Sequence, residues 1–155
     1  MSAELERTVQ RLADIEDIKQ LKARYASACD DDYNPDKLAA LFAEDAIWDG
    51  GILGYGEGRE GIREFFAAAS SLVPFAVHQV SNPLIEINGD TATGEWFLWQ
   101  PMVFGEQAMW LSAVYHDTYV RIDKQWLYQH LKLNIRMLTP FEEGPAKTLI
   151  MDVTA

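Results

Sequence analysis

The sequence predicts an α+β fold in which N-terminal helices pack on a strongly curved antiparallel sheet that encloses an apolar pocket. Three observations predict it. Apolar residues recur at spacings of three and four between Leu5 and Cys29, the helical period. From Phe75 onward they fall at roughly alternate positions. Turn signals at Asn88–Gly89–Asp90 and Asp123–Lys124 then divide long runs rich in β-branched and aromatic residues. Helices followed by a meander of strands argue for helices gathered on one face of an antiparallel sheet. Long twisted strands with helices on their concave side make a half-open cone, and its interior is a natural ligand site.

Residues from about 4 to 30 read as one helix whose apolar side is Leu5, Val9, Leu12, Ile15, Ile18, Leu21, Tyr25 and Cys29. Asp30–Asp31–Asp32 with Asn34–Pro35 end it, because proline restricts the residue before it. A short helix follows from Asp36 to Phe42, then an early hairpin of Ile47–Trp48 and Ile52–Tyr55 across Gly50–Gly51. A third helix runs from Arg59 to about Ser70, with Ile62, Phe65 and Phe66 as its apolar side. Four strands complete the reading: Val77–Ile87, Thr91–Val103, Trp110–Arg121 and Gln125–Leu138. The tail from about residue 145 either closes the mouth of the cone or frays.

Composition narrows the functional classes. Of 155 residues, 48% are apolar, enough for a core, and the rings of five Trp, six Tyr and seven Phe suit a core or a concave ligand site. A formal net charge of −11 without a basic stripe disfavours nucleic acid and anionic membranes as partners. No run of apolar residues reaches the length of a membrane span. Met1–Gln20 lacks the basic start and apolar stretch of an export signal, so the expected location is the cytoplasm. Cys29 is the only cysteine, which suits a reducing compartment and a small buried side chain.

With three histidines, acid–base candidates are few. His78 opens a predicted strand and Asp30 closes the first helix, so the two meet at the mouth of the cone if the helix packs across the sheet. A carboxylate beside an imidazole fixes its tautomer and supports the imidazolium, which makes a general base. No spacing rule joins positions 30 and 78, and a structural or solvent-exposed histidine is the competing reading. Tyr25 precedes Asp30 by five residues, about 140° around an ideal helix. Periodicity therefore favours a packed core aromatic there. Both would face one pocket only if the helix unwound near Cys29. Arg136, late in the last strand, reads equally as a pocket cation or a surface charge. Asp31 and Asp32 read as solvated turn residues. His116 and His130 lack metal-ligand spacing, so no metal is expected. Nucleotide-binding glycine loops and a serine-nucleophile elbow are absent, so no cofactor is expected. Alternation nominates Trp48, Tyr55, Phe97, Trp99, Gln100, Phe104 and Trp110 as the pocket wall.

The segment Asp17–Asp30 resembles the first helix of SnoaL-like proteins, in the nuclear transport factor two-like superfamily of cystatin-like folds. Thr91–Leu98 and Tyr115–Trp126 resemble two of its strands and a turn, and the likeness covers about residues 10–140. Members include cofactor-free lyases built around an Asp–His pair: bile-acid 7-alpha-dehydratase, scytalone dehydratase and hexachlorocyclohexane dehydrochlorinase. The resemblance implies one domain over residues 1–155 and assigns Tyr25, Asp30, His78 and Arg136 to the catalytic positions of the bile-acid enzyme. A further catalytic aspartate of that enzyme falls on Gln100, which cannot shuttle a proton. Trp99 replaces a polar residue beside it, so a different substrate is expected.

The expected function is a cofactor-independent dehydratase or isomerase of a hydrophobic, ring-containing small molecule. His78 would act as base, Asp30 would orient it, Tyr25 would bond a carbonyl or leaving group, and Arg136 would hold developing charge. Two other readings use the same cone: a non-catalytic binding or accessory module, and a polyketide-cyclase-like aldol catalyst. A homodimer or homotrimer through the outer sheet face is implied by the resemblance.

Overall fold

The computed structural model describes residues 1–154. Helix α1 spans Ala3–Asp30, capped by the Ser2 hydroxyl, which accepts from the Leu5 N–H. Leu5, Val9 and Leu12 are 50%, 52% and 56% exposed, so the helix overhangs the sheet before packing begins at Asp14. The expected apolar side therefore continues past the surface that covers it. A helix of 28 residues is roughly 42 Å long, more than the concave face spans. Helix α2, Pro35–Ala39, begins on Asn34 as N-cap and ends before Phe42, which opens β1 rather than closing the helix. Strand β1 is Phe42–Asp49, and β2 is Tyr55–Glu57. The hairpin between them pairs Asp49 with Tyr55, because Gly51–Leu53 forms one turn of 3-10 helix instead of a strand. Helix α3 covers Gly58–Leu72.

The remaining strands are β3 Phe75–Ala76, β4 Gln79–Asn88, β5 Thr91–Phe104, β6 Gln107–Ile122 and β7 Gln125–Pro140. The sheet order is β2-β1-β7-β6-β5-β3, with β4 also on β5. Asp123 and Lys124 both carry positive φ, as the expected two-residue turn requires. The sheet is mixed, which corrects the antiparallel expectation: β1 runs parallel to β7. Turn chemistry reports only on strands that a hairpin joins, and no hairpin joins these two. The expected strand Val77–Ile87 is also broken. Val77 and His78 lie between β3 and β4, and Asn82 bulges at φ 56°.

The inner face of the sheet carries Ala92, Trp96, Leu98 and Met102 from β5 and Met109, Leu111, Tyr115 and Tyr119 from β6. They enclose the core against Ile18, Leu21, Tyr25 and Cys29 of α1. Among the described tail residues, Ile150 bridges Leu138, and Met151 and Val153 pack on the core. Two polar clasps tie α1 down. Buried Asp14 accepts from Trp126, Gln10 and Arg121. Lys22 meets Asp117 at 2.8 Å, Tyr119 donates to the same carboxylate at 2.9 Å, and Trp96 donates to Tyr119 at 3.0 Å.

Gly94 makes room for the second clasp. A Cβ there would lie 2.8 Å from the Tyr119 hydroxyl and 3.1 Å from the Trp96 indole nitrogen. Gly94→Ala is expected to destabilise the fold by about 1–3 kcal/mol through overpacking. In a melting experiment each kcal/mol lowers Tm by about 2–4 °C for a chain of this size.

Candidate active site

Asp30 is the last residue of α1 and projects at the break between β3 and β4. Its carboxylate lies 2.8 Å from His78 Nδ1 and accepts the His78 backbone N–H at 3.0 and 3.3 Å. That N–H is spent on the carboxylate instead of a neighbouring strand, which accounts for the interruption in the ladder. The His78 side chain is 5% exposed and the Asp30 side chain 35%. An ionised carboxylate can only accept, so Nδ1 carries the proton and Nε2 is left as the free basic nitrogen.

His78 borders a partly open cavity of about 160 Å³ between α1, α3 and the inner sheet face. Tyr25 lies on this cavity, with its hydroxyl accepting from Trp48 Nε1 at 2.8 Å. Trp48 stacks on Phe65 at 4.5 Å. It lies over Gly50, where a Cβ would come within 2.3 Å of the ring, so the cavity wall depends on that glycine. Burial pushes the phenols of Tyr25 and Tyr115 well above their ordinary range, so both are neutral hydrogen-bond donors in neutral solution. Burial likewise raises the Cys29 thiol, which keeps it protonated and unreactive.

Tyr25 and Asp30 do not share the cavity, and α1 does not unwind between them. Tyr25 faces inward, Asp30 stands behind the wall, and His78 connects the two sides. Of the residues expected to line the pocket, Trp48, Gln100 and Phe104 do so. Tyr55, Phe97, Trp99 and Trp110 do not. Tyr55 is exposed on the edge strand. Phe97 and Trp99 alternate with the inward-facing Leu98 and Gln100, and Trp110 alternates with Met109 and Leu111, so all three lie on the convex face. Arg136 is exposed and outside the cavity. It lies on the same side of β7 as exposed Lys132 and Asn134, opposite Leu131 and Leu133, and the register step from Ala113↔Ile135 to Ser112↔Met137 leaves it as the extra residue of a bulge, which settles the even reading as a surface charge.

Sequence reasoning missed Tyr33, Met102, Tyr115 and Leu133 as lining residues. Met102 and Tyr115 have the same strand parity as Gln100 and Asp117, which could have found them. Tyr33 sits in an irregular turn and gives no periodic signal. No Lys, Arg, Asp or Glu lines the cavity. Among the described residues, no three His, Cys, Asp or Glu side chains cluster as a metal site, and no helix is long and apolar enough to cross a membrane.

The profile of the SnoaL-like domain matches residues 10–132. An uncharacterized protein of Mycobacterium tuberculosis is 32% identical over 133 residues, covering 81% of this chain and 90% of that protein. A candidate scytalone dehydratase of Novosphingobium aromaticivorans superposes with a TM-score of 0.79 at 23% identity, over 86% of this chain and 91% of that one. A type 3 hexachlorocyclohexane dehydrochlorinase of Novosphingobium barchaimii does so with a TM-score of 0.78 at 24% identity, over 86% and 94%. These two structural neighbours share the fold, few helices on a strongly curled sheet, and the sequence matches add the family. The chain belongs to the SnoaL-like domain family, with the nuclear transport factor two-like fold.

Proposed function

We propose that this protein is a cofactor-independent lyase of the cytoplasm, a dehydratase or double-bond isomerase, acting on a hydrophobic, ring-containing small molecule. One observation carries the reading: His78, bonded through Nδ1 to Asp30 at 2.8 Å, borders an apolar cavity. In dehydration, Nε2 takes an acidic C–H proton, and the electron pair left on carbon forms the new double bond as hydroxide departs. The imidazolium returns its proton to the hydroxide, which leaves as water. In isomerisation the same proton goes back to a different carbon. One base serves both halves of either reaction, which suits a wall where Gln100 cannot transfer protons. Tyr25 donates to the departing oxygen. Arg136 has no part in this scheme, and neutral phenols in an apolar cavity meet the developing charge instead.

The test is a panel of cyclic β-hydroxy carbonyl compounds and β,γ-unsaturated ketones, followed by the appearance of the conjugated chromophore. Turnover that depends on His78 and Asp30 supports the proposal. Tight binding without turnover would make the protein a binding module.

The proposal includes a homodimer or homotrimer through the convex face. Phe97 and Trp99 are exposed there, and Trp99, Trp110 and Phe141 form a continuous stack with ring centroids 5.0 and 5.3 Å apart. Large exposed apolar patches mark interaction sites. Light scattering is expected to give a multiple of 17.6 kDa, and Trp99→Glu with Phe97→Glu is expected to reduce it to the monomer. A monomeric parent protein would remove this part of the proposal.

A further inference from the structure

We propose that the site takes an uncharged carbonyl compound about the size of one six-membered ring, held through its carbonyl oxygen by the phenol of Tyr33. This inference rests on the reading of His78 as the base of the same cavity.

Size comes first. The cavity holds about 160 Å³. An engineered apolar cavity of about 150 Å³ in another protein binds benzene. The space within the walls fits one ring, and a fused polycyclic skeleton would have to project through the open side. Charge comes second. A carboxylate or phosphate would enter a chamber without a Lys or Arg on its wall, and burying an unpaired ion is costly. The substrate is therefore neutral.

Tyr33 supplies the polar anchor. It follows α1 through two consecutive residues of left-handed backbone, Asp32 at φ 54° and Tyr33 at φ 50°. A bulky side chain adopts this conformation only where its surroundings enforce it, and such strain gathers at functional sites. Here the conformation turns the ring into the cavity, where Tyr33 is 8% exposed. Its ring stacks on Phe66 at 6.0 Å and meets the His78 imidazole edge-on at 5.8 Å. The Gln100 amide donates to the phenol oxygen at 3.4 Å and to Met102 Sδ at 3.2 Å. With its oxygen already accepting, the phenol keeps its own proton to donate. Burial raises its pKa, so that proton stays in place in neutral solution. A carbonyl oxygen on Tyr33 puts the adjacent α-carbon beside the His78 ring. The anchor also strengthens as the carbonyl becomes an enolate, which favours the transition state over the ground state. Tyr25, bonded to Trp48, is left for the departing hydroxyl.

Calorimetric titration of the His78→Ala protein, which holds ligands without turning them over, tests the assignment. The probes are 2-cyclohexenone, cyclohexene, cyclohexanecarboxylate and a four-ring steroid ketone. The ring ketone is expected to bind, the carboxylate to bind at least about tenfold more weakly, and the steroid not to bind. Adding Tyr33→Phe is expected to weaken the ketone by about tenfold and leave cyclohexene unchanged. The unchanged hydrocarbon also shows that the cavity still folds. Steroid binding as tight as that of the single ring, no binding of the ketone, or equal losses for ketone and hydrocarbon would each overturn the inference. Failure of the parent reading looks different: the ketone binds with the expected selectivity, but the parent protein turns nothing over. Conversely, His78-dependent turnover of a steroid would keep the lyase and discard the single-ring substrate.

Discussion

Replacing His78 by alanine is expected to lower turnover by about 10²–10⁴-fold, the usual contribution of one positioned acid–base group. Asp30→Asn is expected to cost a comparable factor for a different reason. The amide can present its NH2 to Nδ1, which selects the tautomer with the proton on Nε2, and that imidazole has no lone pair to offer the substrate. Asp30 also accepts the His78 backbone N–H, so its substitution loosens the junction between β3 and β4 as well. The measurement is single-turnover rate with each substrate that the parent converts, alongside circular dichroism to show that each variant folds. Activity that survives both substitutions would remove the pair from the mechanism. The double variant should fall little further than the worse single one, because the two residues act as one unit.

The largest expected effect on stability comes from the closed end of the cone. Lys22 and Asp117 are both buried, and the Lys22 ammonium also lies 3.2 Å from the centre of the Tyr115 ring. Burial lowers the pKa of the lysine and raises that of the aspartate, each opposed by its partner's charge. Asp117 Oδ1 has no hydrogen-bond partner among the described residues, so this carboxylate has little else to lean on. Lys22→Met is expected to cost about 3–5 kcal/mol by leaving a buried charge uncompensated. That corresponds to a fall in Tm of roughly 6–20 °C. Adding Asp117→Asn should recover most of the loss, since the amide is uncharged and its oxygen still accepts from Tyr119.

The single variant also has a signed pH dependence. Without the ammonium, the Asp117 carboxyl is held even further above its unfolded value of about 3.9. The folded state then binds more protons than the unfolded one between those two values, so stability falls as pH rises through that window. The deficit of Lys22→Met should be smallest in acid and grow as pH rises above about 4, and this pH dependence should be lost in the double variant. A flat deficit in denaturant titrations across that range would mean that Asp117 does not carry the charge assigned to it.

The candidate site was partly legible. Asp30 and His78 stand where a helix stop and a strand start put them, and the family resemblance named both. Their contact is a tertiary fact that no spacing encodes. The pocket wall was harder. Alternation sorts β5 into two faces but does not say which one the helices cover. Large rings stand on both faces, Phe97 and Trp99 on the convex one and Trp96 on the concave one, and the expected wall mixed the two by naming Phe97 and Trp99 beside Gln100. The overhang of Leu5, Val9 and Leu12 has a similar origin: a helical period persists whether or not anything packs against it.

From the residues alone came the helix over 4–30, the long strands and their turns, because each is set by chain-local properties: side-chain period, proline, and positive φ at glycine, aspartate and lysine. Tertiary structure decided the parallel pairing of β1 with β7, the outward face of Arg136, the inward turn of Tyr33 and the burial of the Lys22–Asp117 pair. Each of these joins or displaces residues far apart in the chain, or depends on which face meets a partner. Local patterns record what a segment can do, and closing the cone selects among those possibilities.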